Sequence, residues 1–202
     1  MKTFAIIPAA GKSSRMGCSK LLLPWHGSTV IEHVLEIWQQ SGVDERIVVV
    51  SEEGTLAATC RAAGAVVCVP SVAPTDMKES IQLGLAHAQE KFHPSHQDAW
   101  LVAPADMPWL SARLIGSLIE AFVRSGSPVV APRTLDGRLG HPVLFSWRLA
   151  AELPKQAGTL KDLLERHKIH FVEHQQDEDF QDIDTWNDYR RLHNRHDPSD
   201  PI

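Results

Sequence analysis

The sequence predicts an α/β protein in which a mainly parallel, twisted sheet carries helices on both faces, giving three layers. Three observations favour this class. Apolar runs rich in β-branched residues, such as residues 46–50, are typical of parallel strands buried on both faces. Amphipathic segments such as residues 29–40 alternate with these runs and repeat their apolar residues at helical spacing. Strands separated by helices of this length are joined by right-handed crossovers in a parallel sheet.

The first half of the chain contains four predicted strands and three predicted helices. The apolar run at residues 4–8 predicts a strand that ends in a glycine-bearing loop, and the amphipathic helix at 29–40 ends before Gly42. The β-branched run at 46–50 is the second strand. A helix at 53–63, a strand at 65–69, a long helix at 78–91 and a strand at 99–103 follow in that order.

The second half continues the alternation with shorter elements. Ser111 is a suitable N-cap for a helix that reaches Val123. Apolar runs predict strands at 128–131 and 142–146, separated by a turn at 135–140, and a further strand at 169–172 follows a short helix at 159–167. A terminal helix covers 185–192. We expect a single domain over residues 1–192 and a flexible tail over 193–202, which has a polar composition.

Composition excludes several classes of protein. The chain has 202 residues, 43% of them hydrophobic, and a formal net charge of −5, so we expect a large buried core and no nucleic-acid partner. The three cysteines, Cys18, Cys60 and Cys68, are odd in number and lack C-x-x-C spacing, which argues against disulfides and a zinc knuckle. No stretch resembles a signal peptide or a membrane span, so we expect a cytoplasmic protein with no membrane partner. No pair among the histidines has the helical spacing and acidic partner of a zinc enzyme.

The loop after the first predicted strand has the features of a phosphate-binding site. It reads A-A-G-K-S-S-R-M-G over residues 9–17, and Lys20 follows. Gly11 allows the backbone to approach a ligand closely, and successive N–H groups in such a loop can bind an anion. Lys12, Arg15 and Lys20 add positive charge, and Arg15 can contact two phosphate oxygens at once. The loop lacks the glycine spacing of a Walker A motif and of G-x-G-x-x-G. The alternative is a solvated basic turn.

With three later motifs, this loop resembles a known family. The segments A-A-G-K-S-S-R-M-G-x-x-K-L-L-L-P, P-A-D-M-P, G-H-P-V-L-F and D-I-D-T-W-N-D-Y begin at residues 9, 104, 140 and 182. In that order they resemble the nucleotidyltransferases that act on the molybdenum cofactor, within the nucleoside-diphosphate-sugar pyrophosphorylase superfamily. The cytidylyltransferase branch is the most similar. The resemblance implies a Rossmann-like nucleotidyltransferase fold of the GT-A-like type.

The resemblance also implies an activity: an Mg²⁺-dependent enzyme transfers CMP from CTP to a phosphate-bearing acceptor, molybdopterin or the molybdenum cofactor, and releases pyrophosphate. A molybdoenzyme is the implied protein partner. The implied catalytic residues are Arg15, Lys20 and Asp106. The implied nucleotide-binding residues are Ala9, Ala10, Gly11, Lys12, Ser13, Ser14, Arg15 and Lys20.

Two aspartates are the candidate ligands for the metal ion. Asp106 directly follows a predicted buried strand, at the end of the sheet where ligands gather. Mg²⁺ binds through one or two carboxylates together with substrate phosphates. A turn or helix-capping aspartate is the alternative for Asp106. The resemblance implies Asp106 and Asp184 as ligands, whereas Asp182 is a weaker candidate. For both Asp182 and Asp184, the alternative is a role as a helix cap and nothing more.

The nucleotide and the acceptor are predicted from a few residues. Ala9-Ala10-Gly11 matches the cytidylyl branch, whereas the guanylyl branch has an additional glycine, so we favour CTP. The resemblance implies Met77, Ser80, Gly140 and His141 as ligand-binding residues, with His141 on the acceptor side. Asp76, Lys78 and Glu79 depart from the family pattern, and the acidic pair would repel an anion, which leaves the acceptor open.

Other functions are compatible with parts of the sequence. The same fold could use GTP, or transfer the nucleotide to a sugar phosphate or choline phosphate. A molybdenum cofactor-binding chaperone could retain the fold without turnover, but the set of Lys20, Asp106 and Asp184 argues against it. A dinucleotide-dependent oxidoreductase is disfavoured because the G-x-G-x-x-G motif is missing.

Overall fold

The main sheet is organised around its first strand, β1 (Thr3–Pro8). In the computed structural model, which describes residues 1–11, 16–153 and 159–194, the chain alternates strands and helices much as expected. The further strands are β2 (Pro24–Trp25), β3 (Ser28–Thr29), β4 (Glu45–Val49), β5 (Val66–Cys68), β6 (Ala99–Val102), β7 (Val129–Arg133), β8 (Val143–Ser146) and β9 (Ile169–Glu173). The α-helices are α1 (Val30–Gln40), α2 (Thr55–Ala62), α3 (Met77–Phe92), α4 (Ala112–Ser125), α5 (Leu160–Glu165) and α6 (Trp186–His193).

Within the described residues, the main sheet has seven strands in the order β5-β4-β1-β6-β8-β7-β9. β1 pairs in parallel with β4 and β6, and β7 pairs in parallel with β9. β8 is antiparallel to both of its neighbours, β6 and β7. The predicted mainly parallel sheet is therefore confirmed, and β8 is the strand that runs against the others.

Helices cover both faces of this sheet, which confirms the three layers. Successive residues of β1 point to opposite faces, as in any strand. Ala5 and Ile7 join the core that contains apolar residues of α1 and α4, whereas Phe4 and Ile6 join the core formed with α3 and α5. Parallel strands covered on both faces become apolar throughout, which explains the continuous hydrophobic runs in the sequence.

Helix α3 packs unusually close to the sheet, and a glycine in its middle makes this possible. A Cβ atom at Gly84 would lie 2.7 Å from Cγ2 of Ile6 and 3.0 Å from Cγ2 of Val49. Those distances are too short for carbon atoms in van der Waals contact. The intrinsic cost of glycine in a helix is therefore offset by the approach of α3 to β1 and β4.

The predicted ends of the helices and of the strands in the main sheet agree with the structure to within two residues. Ser111 caps α4 as predicted, because its side chain accepts a hydrogen bond from the Leu114 N–H. The sequence did not indicate the antiparallel pair β2 and β3, whose strands have two residues each. The predicted tail began at residue 193, but His193 is the last residue of α6, and residues 195–202 lie outside the described part. Within the described ranges, no helix has the length and apolar character needed to cross a membrane.

Candidate functional site

The candidate site lies at the carboxyl ends of β1 and β6, where parallel sheets commonly bind ligands. Backbone hydrogen bonds tie the chain segments that follow these strands. The Ala105 N–H donates to the carbonyl of Pro8 (3.2 Å), and the Ile183 N–H donates to the carbonyl of Asp106 (3.0 Å). The second bond brings the connection before α6 against the end of β6. Residues that are far apart in the sequence therefore meet at one edge of the sheet.

A cavity of about 500 Å³ opens at this edge. Its size falls in the range of small-molecule binding sites. The predicted site residues in its wall are Ala9, Ala10, Gly11, Lys20, Met77, Ser80 and Asp106. The wall also includes residues that the sequence did not indicate, among them Pro74 and Thr75. The candidates Lys12, Ser13, Ser14 and Arg15 lie outside the described residues.

Lys20 forms ion pairs with both predicted metal ligands. Its Nζ atom forms a short ion pair with Oδ2 of Asp106 and lies 3.4 Å from Oδ1 of Asp184. The side chains of Lys20 and Asp106 are each 15% exposed, whereas that of Asp184 is 48% exposed. The structure thus brings Lys20, Asp106 and Asp184 together, with one positive charge where two negative charges converge.

One oxygen of Asp106 has no hydrogen-bond partner among the residues that the structure describes. Among the described residues, its Oδ1 atom is buried and lacks a hydrogen bond, while Oδ2 binds Lys20. A buried carboxylate oxygen without a partner is costly, so such atoms usually bind something that the protein alone does not supply. The described residues contain no group of three or more His, Cys, Asp or Glu side chains arranged to hold a metal. A cation at Asp106 would therefore take further ligands from a substrate or from water.

Asp182 adds a third negative charge to this region. Desolvation is the main cause that raises the pKa of Asp182, and the nearby carboxylates of Asp106 and Asp184 raise it further. Lys20 acts in the opposite direction but does not compensate. Crowded carboxylates of this kind favour cation binding, because a cation relieves their repulsion.

Gly140 and His141 are not part of the cavity wall as observed. A Cβ atom at Gly140 would lie 2.6 Å from Cε1 of Phe180, so packing against this ring requires a glycine at position 140. Burial lowers the pKa of His141, while the Val102 carbonyl and the charge of Asp106 oppose the shift. In the described part of the chain, the Nδ1 atom of His141 is buried without a hydrogen-bond partner. Burial therefore disfavours the charged form of His141 close to the acidic group.

The start of α3 forms the opposite wall of the cavity. Carboxylates of this helix start accept hydrogen bonds from several of the N–H and hydroxyl groups there. Asp76 caps the helix by accepting from the Glu79 N–H at 2.8 Å. Glu79 accepts from the N–H and the hydroxyl of Thr75 at 2.7 and 2.9 Å, which lowers the pKa of Glu79. Ser80 is buried and donates its hydroxyl to the Asp76 carbonyl at 3.1 Å. Of these two carboxylates, Asp76 lies in the cavity wall, so the helix start presents an acidic group to the cavity.

Helix α6 contacts the segment that carries Lys20. The Trp186 indole N–H donates to the Met16 carbonyl at 3.2 Å, and the Tyr189 hydroxyl donates to the Pro24 carbonyl at 2.6 Å. The sequence placed both residues in the last motif without assigning them a role. Their spacing on a helix could have suggested a shared contact, but the contacted segment could not be identified from the sequence.

Comparison with known proteins places these features in a family. The family model described as the MobA-like NTP transferase domain matches residues 5–172. The chain is 34% identical over 114 residues to a molybdenum cofactor guanylyltransferase from Xanthomonas euvesicatoria pv. vesicatoria, covering 56% of this chain and 52% of that protein. It is 27% identical over 177 residues to a 2-C-methyl-D-erythritol 4-phosphate cytidylyltransferase from Bacillus licheniformis, covering 80% of this chain and 73% of that protein. The chain thus spans only about half the length of the Xanthomonas relative.

Solved structures give a longer match. The crystal structure of Rv0371c from Mycobacterium tuberculosis H37Rv superposes with a TM-score of 0.77 at 27% identity and covers 96% of this chain and 98% of that one. A manganese complex of the same protein superposes with a TM-score of 0.72 at 26% identity, with the same coverage. Because the family model matches most of the residues and the fold agrees over nearly the whole chain, the protein belongs to the MobA-like NTP transferase domain family.

Proposed function

We propose that the protein is a nucleotidyltransferase that moves a nucleoside monophosphate from a nucleoside triphosphate to a phosphate-bearing acceptor and releases pyrophosphate. The observation that carries the proposal is the meeting of Lys20, Asp106 and Asp184 beside the cavity. Gly11 lies in the same cavity wall, at the start of the loop whose remaining residues supply Lys12 and Arg15. Positive side chains and backbone amides suit a triphosphate, and the carboxylates suit its metal ion.

A divalent cation, Mg²⁺ in our proposal, fits the carboxylates of Asp106 and Asp184. Asp106 has a buried oxygen without a partner among the described residues, and Asp184 is half exposed and faces the same ammonium group. Carboxylate oxygens are the ligands that Mg²⁺ and Mn²⁺ prefer. The manganese complex of the Mycobacterium relative supports a divalent ion in this family. When bound, such an ion neutralises phosphate charge and orients the triphosphate.

The transfer step requires positioning and neutralisation of charge. An oxygen of the acceptor phosphate attacks the α-phosphorus, the bond from the α-phosphorus to the oxygen bridging to the β-phosphate breaks, and pyrophosphate leaves with the electron pair. Lys20 lies where its ammonium group can neutralise charge that develops on the phosphates. No side-chain nucleophile is needed, so Cys18 has no role in this mechanism.

For the nucleotide, CTP is our proposal. Ala9 is buried and Ala10 half-buried in the cavity wall. We infer that the methyl group of Ala10 would narrow the space available to a base. A pyrimidine is smaller than a purine and suits the narrower space. GTP is the second candidate, because the Xanthomonas relative is a guanylyltransferase. The cytidylyltransferase from Bacillus supports CTP within the same superfamily.

For the acceptor, molybdopterin or the molybdenum cofactor is our proposal, with a molybdoenzyme as the protein that receives the product. Support comes from the motif at Gly140 and His141 and from the name of the Xanthomonas relative. Burial lowers the pKa of His141 and so favours the neutral imidazole, which can donate or accept a hydrogen bond. The acidic start of α3 disfavours an acceptor whose phosphate would bind there, because Asp76 and Glu79 repel anions.

A two-stage assay tests the proposal. The melting temperature is first measured with Mg²⁺ and each of CTP, GTP, ATP and UTP, where a ligand at a hundredfold excess over its Kd stabilises the fold by about 2.7 kcal/mol. Pyrophosphate release is then measured with molybdopterin, a sugar phosphate or choline phosphate as acceptor. We expect the largest shift with CTP and release with molybdopterin. A preference for GTP would exclude CTP as the nucleotide. Nucleotide binding without pyrophosphate release, whichever acceptor is used, would favour a chaperone.

A further inference from the structure

We propose that Trp186 and Tyr189 are positioning residues that hold residues 16–24 in place so that Lys20 can reach the carboxylates and the nucleotide. The inference rests on the proposed function and extends it to two residues outside the cavity wall. Both residues belong to α6, and neither is expected to touch a substrate. They act through the backbone on either side of Lys20.

The two contacts are placed symmetrically about Lys20. Trp186 binds the carbonyl of Met16, and Tyr189 binds the carbonyl of Pro24. Met16 lies four positions before Lys20 and Pro24 four positions after it. The Lys20 side chain itself contacts Asp184, just before the N-cap Thr185 of the same helix. Helix α6 therefore holds the segment at both ends, and the residue just before its N-cap binds the central side chain.

The geometry of α6 allows this arrangement. Residues three positions apart lie on the same face of a helix, and the rings of Trp186 and Tyr189 meet edge to face at 5.9 Å. The start of α6 is fixed by a capping box in which Thr185 and Asp188 exchange hydrogen bonds. The two donors thus stand on a short, well-anchored helix beside Asp184.

The segment itself depends on outside contacts for its order. Within residues 16–24, regular structure is limited to a 3-10 helix at Lys20–Leu22 and the first residue of β2, so few of its backbone groups are held by repeating hydrogen bonds. A lysine side chain is long and flexible, so its reach depends on where its backbone is held. Trp186 is 42% exposed, so the indole contributes less through burial than a core tryptophan does. Its hydrogen bond to Met16 gives a tryptophan at this position a specific role.

A double-mutant cycle on nucleotide affinity tests the inference. The dissociation constant for CTP with Mg²⁺ is measured by calorimetry for Trp186→Phe and Tyr189→Phe, each in the wild type and in a Lys20→Met background. Both substitutions leave an aromatic ring and remove the donor, although phenylalanine is smaller than the indole of Trp186. The loss of one hydrogen bond should weaken binding about threefold to tenfold in the wild-type background. In the Lys20→Met background each substitution should change the constant less than about twofold, because residues that act through one another are not additive.

Trp109→Phe provides the matched control, because the Trp109 indole N–H binds the Leu192 carbonyl at the other end of α6 (3.1 Å). We expect nucleotide affinity close to wild type for this variant, although it also removes an indole hydrogen bond to α6. Melting temperatures of all variants show whether they fold. If Trp186→Phe does not fold, Tyr189→Phe still decides the test.

Three results would overturn the inference. Equal weakening in both backgrounds would mean that the two residues act on general stability and not through Lys20. Wild-type affinity in both single variants would remove them from nucleotide binding. If the wild type binds no nucleoside triphosphate at all, the proposed function fails first and the inference fails with it.

Discussion

The side chains of Lys20 and Asp106 form an ion pair although they are 86 positions apart in the sequence. Lys20 follows the loop after β1, and Asp106 follows the neighbouring strand β6. Both side chains are largely shielded from water, so the ion pair offsets part of the cost of burying each charge. The pair also places a positive charge on the carboxylate that we assign to the metal ion. Metal and lysine therefore compete for Asp106.

Replacing Lys20 should therefore have opposite effects on metal and nucleotide. We expect Lys20→Met to bind Mn²⁺ about threefold to tenfold more tightly in the absence of nucleotide, because a nearby positive charge disfavours a cation. The same variant should bind CTP more weakly, since a phosphate ligand is lost. Electron paramagnetic resonance of free Mn²⁺ measures the first effect. Lys20→Arg keeps the charge and is the control; an unchanged Mn²⁺ affinity in Lys20→Met would contradict the competition.

Asp106 should be indispensable for transfer. Asp106→Asn keeps the shape of the side chain and removes its charge, so we expect pyrophosphate release to fall by about a factor of 10³. Circular dichroism should show an unchanged fold. Asp162→Asn, at the start of α5 and outside the cavity wall, is the matched control and should keep near wild-type activity per folded molecule. An undiminished rate in Asp106→Asn would remove this residue from the mechanism.

The three cysteines should differ strongly in reactivity. Burial raises the pKa of the Cys60 thiol to about 12 and also raises the pKa of Cys68, whereas Cys18 is exposed. Because the thiolate is the reactive form, a thiol reagent at pH 8 should modify one cysteine rapidly in the folded protein. Cys18→Ser should abolish the fast reaction and keep the transfer rate within about twofold, since the mechanism needs no nucleophile. A large loss of transfer in Cys18→Ser would mean that this thiol takes part.

Asp98 should make the fold sensitive to acid. Burial opposes ionisation of Asp98, but hydrogen bonds from the backbone of Lys2 and from the backbone and hydroxyl of Ser95 outweigh it and lower its pKa. Because its pKa is lower in the folded state, Asp98 stabilises the fold at pH values above its unfolded-state pKa of about 3.9. This stabilisation is lost as the pH falls through the folded-state pKa.

Asp98→Asn should lower the free energy of unfolding at pH 7 by about 1 to 3 kcal/mol, because the donors of Lys2 and Ser95 lose a charged partner. Urea denaturation at pH 7 and at decreasing pH measures this. The difference between wild type and variant should narrow as the pH falls below the unfolded-state pKa of about 3.9 and through the lower folded-state pKa, because the wild-type carboxylate then loses its charge. A difference that stays constant with pH would show that the charge of Asp98 is not the cause.

Most of the fold could be predicted because its elements are marked by local patterns. Continuous apolar runs mark β1, β4 and β6, and the capped helices α1 and α4 show helical periodicity. The apolar composition of β8 does not reveal its direction, since a buried strand is apolar in either orientation. The short turn before β8 was the available signal, because parallel neighbours need a longer crossover. The strands β2 and β3 are too short for any periodicity to be visible.

The sequence by itself determined the chemistry available to this protein: a glycine-bearing loop with basic residues after β1, and acidic residues after β6 and before α6. Alternation of strands and helices also placed the loop and Asp106 at one edge of the sheet, because carboxyl ends of parallel strands coincide. The tertiary structure decided which of these groups meet. In the folded chain, Asp184 contacts Lys20, which is 164 positions away in the sequence, and α6 forms hydrogen bonds to residues 16–24. Gly140 packs against Phe180 and lies outside the cavity wall. Such contacts depend on the packing of elements distant in the chain, and no local pattern records that packing.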